Sequence, residues 1–437
     1  LWFIRTSNVA MFEPFTSDSL SVYWPILAEG ALVSVALGLI GCFLVVRGMS
    51  LLGDALSHSV LPGIVIGFLI GGSLHSPWIL IGATAVGLGA AVLVQGVQHH
   101  SRVKEDASLG IVFTALFALG VVMINLYAGQ ADLDPGCVLY GNIEHFIIEP
   151  GPIWLMVGIL CAIVLLLVLF YRPLLVSTFD PGLAISLGIP ATLVHYVLMG
   201  VLSLTIVASF EAVGAILAVA LLVLPGATAR LWTDRMRPML LFAAAHGVVS
   251  TVLGYWLAHP DVMNTSASGA ICVAGFTLFC ISWLLAPRHG LLPRARTRRK
   301  LVRTTALENL LKAVEDLSLA RGGGAVPLDV IEHDLKVRPK AFARALALAR
   351  RRGWLHTHEK SAGGIALTDA GRERSVRLVR AHELWEQFLR QEVGLDADHV
   401  HDAAEWIEHY LSDEKVRDLD ELLARSTTAP AAHNNPT

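Results

Sequence analysis

The stretch from Ser268 to Lys300 reads SGAICVAGFTLFCISWLLAPRHGLLPRARTRRK. Its uncharged run ends at Ala286 and is long enough for a helix to cross a bilayer, whereas six of the 13 residues from Arg288 to Lys300 are Arg or Lys. Working outward, only 8 of the chain's 33 Lys and Arg residues precede Pro287. The first 286 residues carry 14 Asp and Glu against those 8, and the remaining 151 carry 22 against 25. A mean hydropathy of +0.60 with 54% hydrophobic residues excludes an ordinary soluble protein. The chain is therefore a membrane half followed by a charged, soluble half.

Apolar segments fall at Pro25–Val46, Leu56–Ile70, Trp78–Val97, Leu109–Tyr127, Ile153–Tyr171, Leu193–Phe210, Val213–Leu224, Met239–Ala258 and Gly269–Ala286, about nine spans. Alternating the loops puts Arg47, Arg102, Lys104, Arg172, Arg230, Arg235, Arg237 and Arg288 on one side, which the positive-inside rule makes cytoplasmic. This requires two spans between Thr192 and Leu224, with a break expected near Glu211. Leu1–Ser21, with its single Arg5, is too weak in charge and apolar core for a signal peptide and reads as mature chain. Cys42, Cys137, Cys161, Cys272 and Cys280 show no paired spacing, so neither a disulfide framework nor a thiolate metal site is expected.

Beyond the basic run, Leu307–Leu319 has the apolar period of an amphipathic helix, ended by Gly322, Gly323 and Gly324. A short helix at Leu328–Leu335, a basic helix at Pro339–Arg352 and strands at Trp354–His358 and Ile365–Thr368 follow in the order of a winged helix. Helix is expected again from Arg372 to about Ala424, with disorder after it. The expected fold is an all-α polytopic membrane domain of about eight to nine transmembrane helices, then a soluble winged-helix domain and a helical metal-binding and dimerisation domain. Boundaries are set at 1–24 for the N-terminal segment, 25–290 for the membrane domain and 291–303 for a basic linker. The winged helix takes 304–371, the helical domain 372–425 and the tail 426–437.

Asp54 and His58, in RGMSLLGDALSHSVLPG, stand four residues apart and share one helix face. A carboxylate with an imidazole suits a divalent transition metal, and ionisable groups inside a bilayer mark pathways. A helix-capping Asp54 with His58 bonded to a carbonyl fits the same spacing. Asn125, Glu211, His195 and His246 are weaker pathway candidates, each also explicable as a bond between helices. No G-x-x-x-x-G-K-[ST] phosphate loop is present, and Lys104 is the only lysine before Lys300, so the chain is not expected to be an enzyme and energy must come from a separate ATPase. Arg230, Arg235 and Arg237, after the Pro225–Gly226 break, suit a surface on which that ATPase docks; fixing topology is the alternative role.

RGMSLLGDALSHSVLPGIVIGFLIGG, KEDASLGIVFTALFALGVVMI, STFDPGLAISLGIP, VGAILAVALLVLPGATARLWTDR and SGAICVAGFTLFCISWLLAPRHG resemble successive signatures of the permease subunit of manganese, zinc and iron ABC importers. The resemblance covers Pro25 to about Gly290. It implies a role for Asp54 and His58 in holding the transported metal, Mn2+ in the first place and Fe2+ or Zn2+ otherwise. It also implies three partners besides membrane lipid: an ABC ATPase, an extracytoplasmic metal-binding protein and a second permease subunit.

In the soluble half, His401, Glu405, Glu408 and His409 fall within roughly 100 degrees of one helix at 3.6 residues per turn. His382 and Glu386 form an i, i+4 pair before them. Imidazole and carboxylate without thiolate suit Mn, Fe or Zn; a solvated charged face is the plainer reading. VRAHELWEQFLRQEVGLDADHVHDAAEWIEHYLSDE resembles the metal-binding and dimerisation helices of the diphtheria-toxin-repressor family, especially its manganese-responsive branch. By that resemblance His382, Glu386 and His401 match one metal site and Glu405, Glu408 and His409 another. The chain departs from the family at Asn309 and Lys312, where further ligands are usual. Lys340, Arg344 and Arg351 are candidate phosphate contacts to DNA, but Ala341, Ala343, Ala345 and Ala347 leave few groups to read base edges. A membrane-tethered transcription regulator is thus the alternative to a metal importer with a sensing domain.

Overall fold

The computed structural model describes residues 17–72, 76–127, 153–335, 339–358, 364–391, 393 and 413–428. It divides into two compact units, Leu1–Arg294 and Ala295–Thr437.

The first unit is a helix bundle. Its helices are α1 (Ser17–Arg47), α2 (Leu52–Ser59), α3 (Leu61–Gly71), α4 (Pro77–His100), α5 (Glu105–Tyr127), α6 (Ile153–Leu169), α7 (Tyr171–Phe179), α8 (Pro181–Ser186), α9 (Ala191–Trp232), α10 (Met236–Ala258) and α11 (Ala267–Leu285). Among the described residues eight segments are long and apolar enough to cross a membrane, and α6 with α7, bent by 77°, makes a ninth. Counting nine crossings returns all the basic loops to one side.

Helices α1 and α9 are the centre of the bundle. Leu37, Ile40 and Leu44 on one face of α1, and Leu198, Leu202 and Ile206 on one face of α9, are all almost fully buried. Apolar side chains gain little by leaving lipid for protein, so close backbone approach does the holding. At Gly41 of α1 a Cβ would fall 1.8 Å from the Leu222 carbonyl oxygen of α9, which no larger residue allows. Along its 42 residues α9 would span ~63 Å as a straight helix, about twice a bilayer core. Gly214, at φ 73° and ψ 167°, breaks it. The break therefore lies three residues beyond Glu211, at the residue whose backbone tolerates positive φ.

The second unit contains α12 (Leu291–Ala320, beginning in the first unit), α13 (Leu328–Leu335), α14 (Pro339–Arg351), β1 (Leu355–His358), β2 (Gly364–Leu367), α15 (Asp369–Gln391) and α16 (Asp413–Thr428). The expected basic linker is helical, continuous with the amphipathic helix after it. Arg, Lys and Ala are good helix formers, and Pro293 sits in the first turn where its missing N–H is no loss. Strands β1 and β2 pair antiparallel, Leu355 opposite Leu367, and Val326 adds a bridge to Ile365. This is the helix–helix–helix–wing order expected. Leu307, Leu310, Leu311, Val314, Ile331, Phe342, Ala349 and Ile365 form its core. Two ion pairs clip α15 to α12: Arg374 with the buried Glu308, and Arg372 with Glu315 at 3.4 Å. Leu384 of α15 packs with Leu419 and Leu423 of α16, and Arg380 grips both carboxylate oxygens of Asp420.

Candidate metal pathway and sensing residues

Helix α2 packs against α5 and α9. Its N-cap is Leu51, without a side-chain cap bond, and Asp54 stands in the first turn, where a negative charge is favoured by the helix dipole. Asp54 therefore does not cap the helix. Its Oδ1 lies 3.7 Å from His58 Nε2, and the side chains are 56% and 32% exposed. The His58 ring lies 5.5 Å from the Phe113 ring and 5.7 Å from the Phe117 ring of α5, which fix its orientation. Among the described residues neither Asp54 nor His58 bonds a backbone group. The pair thus keeps a carboxylate and an imidazole nitrogen on an open face of a membrane span.

The other membrane candidates are committed elsewhere. Asn125 donates to the Val121 carbonyl on its own helix. His195 Nδ1 accepts from Arg47 at 3.3 Å, and the same guanidinium donates to Ser177 and Thr178, tying α1, α7 and α9 together. His246 Nε2 donates to the Gly275 carbonyl at 3.2 Å, joining α10 to α11. The Glu211 side chain lies outside the described residues. Sequence reasoning missed Glu29 of α1, a carboxyl-bearing residue only 2% exposed; nothing in its local spacing distinguishes it.

On the side of the basic loops, Arg230 donates to the Val45 carbonyl, and Arg237 lies over the Tyr171 ring at 5.3 Å. Both hold helices together. Arg235 is exposed. Asp234 accepts from Arg288 at 2.9 Å and from His289 at 2.7 Å, and Arg294 donates to His289. The hydrogen bonds from His289 and then Arg288 hold the Asp234 carboxyl below the usual carboxylate range. Helix α8, also missed from sequence, is capped by Asp180, whose carboxylate accepts from the Leu183 N–H. It exposes Leu183, Ile185 and Leu187, with Phe179 just before it. Leu183, Ile185 and Leu187 lie outside any span and form an exposed apolar patch, as interaction surfaces do.

In the second unit, His382 is buried, and its Nε2 lies 3.0 Å from Glu386 Oε1. Neighbouring ligands on a metal with bonds of ~2.1 Å stand about 3 Å apart, so this pair fits as two ligands of one centre. Glu386 also accepts from Arg390 at 3.4 Å. His401, Glu405, Glu408 and His409 lie outside the described residues. Among the described residues no three candidate ligands gather. Asn309 and Lys312 are half-buried on α12. Lys340, Arg344 and Arg351 are all exposed on α14, whose buried face is Phe342, Ala345 and Ala349.

Up to nine potential crossings among the described residues, with the basic loops on one side, make a polytopic membrane domain, here joined to a winged helix. The ABC 3 transport family matches residues 21–286, and the chain belongs to that family. Residues 368–437 match the iron dependent repressor, metal binding and dimerisation domain. The Manganese transport system membrane protein MntC of Halalkalibacterium halodurans is 44% identical over 269 residues, 61% of this chain and 88% of that one. The Zinc transport system membrane protein TroD of Treponema pallidum is 35% identical over 359 residues, 79% of this chain and 97% of that one. That alignment is longer than the membrane unit and so continues into the soluble half. The solved structure of PsaBC from Streptococcus pneumoniae in complex with Fab is similar at a TM-score of 0.55, with 33% identity over 62% of this chain and 95% of that chain.

Proposed function

We propose that the chain is the permease of an ATP-driven importer of divalent metal, Mn2+ before Fe2+ or Zn2+, and that Asp54 and His58 hold the ion in transit. The open carboxylate–imidazole pair on α2 carries this reading. The relatives named above for manganese and zinc transport support a transition metal as substrate. Two donor atoms are too few for such an ion, and exposing both to lipid would cost several kcal/mol. A second permease subunit covering the α2–α5 face would remove that cost and bring further ligands.

The substrate arrives from an extracytoplasmic binding protein, and ATP is hydrolysed by a separate subunit. That ATPase docks on α8, through Leu183, Ile185 and Leu187, rather than through Arg230 and Arg237, which are engaged in holding helices. The soluble half lies in the cytoplasm, on the side of the basic loops. There His382 and Glu386, with His401, Glu405, Glu408 and His409, bind accumulated metal, and the domain restrains transport. Metal uptake by proteoliposomes, measured at rising internal metal with and without residues 301–437, tests this. Feedback predicts that only the full chain slows; identical curves would sink the sensing role while leaving transport intact.

A further inference from the structure

Arg296, Arg299, Lys300 and Arg303 stand at i, i+3, i+4 and i+7 of α12 and therefore form one stripe along the helix. Arg303 also rims a groove of about 440 Å³ between α12 and α14, together with Arg344 and Arg351. The floor of that groove is apolar, made by Val302, Ala306, Ala345 and Leu348. Elsewhere in this unit the arginines Arg372, Arg374, Arg380 and Arg390 each meet a carboxylate. Among the described residues none of the six stripe and groove cations does. Six unpaired cations beside an apolar cleft constitute a surface for an anionic, amphipathic partner.

We propose that this stripe and groove bind anionic phospholipid at the membrane face from which the chain emerges. The charges take the headgroups, and the apolar floor takes the glycerol and upper acyl region. Three observations favour lipid over a nucleic acid. The stripe begins 11 residues after Leu285, the end of the last span, so the tether keeps it at a high effective concentration near the headgroups. Basic clusters immediately following a membrane helix are attracted to anionic leaflets. The groove floor offers methyl and methylene groups and no donors able to read a base edge. The inference goes beyond the transport reading and takes from it only that the soluble half faces the anionic leaflet. Its consequence is a membrane-held sensing domain whose position depends on lipid charge.

Lys300 is a reporter inside the stripe. The full chain is placed in phosphatidylcholine nanodiscs with and without phosphatidylglycerol, and amine acylation is followed by mass spectrometry at Lys300, Lys104 and Lys415. Phosphatidylglycerol slows Lys300 roughly fivefold or more, the factor that one basic side chain's attraction to such a surface supplies. Lys415 is unchanged, Lys104 changes less than Lys300, and high salt removes the effect. The R296Q/R299Q/R303Q variant and the separate R344Q/R351Q variant each lose protection. Equal Lys300 rates in the two discs would overturn the proposal. Equal slowing of Lys104 would also overturn it, since surface potential alone would then explain the change. Protection by duplex DNA but not by phosphatidylglycerol would assign the surface to nucleic acid instead.

Discussion

His58 Nε2 stands 3.7 Å from Asp54 Oδ1 on successive turns of α2, its ring held beside Phe113 and Phe117 of α5. The pair is pre-oriented yet has no backbone bond to satisfy it. A helix cap would have placed a side-chain oxygen on the first N–H groups; here Leu51 occupies that position. The geometry thus removes the helix-cap reading of Asp54 and leaves the pair open for the proposed metal role.

Helix α8 gives the first prediction. L183D/I185D introduces charge into an exposed apolar patch without disturbing the buried Ala184. Co-purification of the ATPase falls roughly tenfold or more, as for loss of a central interface anchor. R235Q leaves it within about twofold, as expected of an exposed charge at an interface rim. Loss of the ATPase in R235Q with retention in L183D/I185D would return the docking surface to the arginines.

Glu308 tests how the soluble unit is held together. It is buried on α12 against Arg374 of α15. R374A removes one charged partner of that carboxylate and destabilises the unit by about 1.5–3 kcal/mol, read by thermal or denaturant melting. E308L/R374M, which removes both charges, recovers most of that loss. Equal destabilisation of the single and double variants would show that packing, not the ion pair, is at stake.

Asp234 carries a pH dependence. Its carboxyl is held below the ordinary range by His289 and Arg288. A depressed carboxylate contributes stability that is fully present above its unfolded value of about 4 and is lost as pH falls through the folded value. Protection from hydrogen exchange in residues 287–294, taken relative to the intrinsic rate at each pH, therefore falls below about pH 4 in the wild type. D234N shows that loss of protection already at neutral pH; unchanged protection in D234N would contradict the role of these bonds.

The proposed soluble metal site is tested at His382 and Glu386. H382A and E386Q each weaken metal binding by the full chain roughly tenfold or more, measured by calorimetry. Unchanged isotherms in both variants would leave these residues as a structural pair on α15.

Much of this was legible because hydropathy and helical period are local. The spans and the His382–Glu386 pair depend on spacing alone. Asp54 lowered the local hydropathy and made its span look as if it began at Leu56, whereas the crossing runs from Leu52 to Gly71. The break expected near Glu211 is there, with the non-helical backbone at Gly214, three residues on. The run Arg294–Lys300 looked like a linker because charge was read before helix propensity. His195 bonding to Arg47, 148 residues away, is a tertiary fact that no window reveals. The exposure of Leu183 and Ile185 is likewise set by which neighbours the fold leaves out.

The central claim is that Asp54 and His58 hold the transported ion. Metal-resolved uptake by the reconstituted permease–ATPase complex, comparing wild type with D54A and H58A, tests it most directly. The account predicts that ATP-dependent Mn2+ uptake in both variants falls to the level of liposomes without ATP, with the complex still assembled. Uptake of every metal at the wild-type rate in both variants would contradict it.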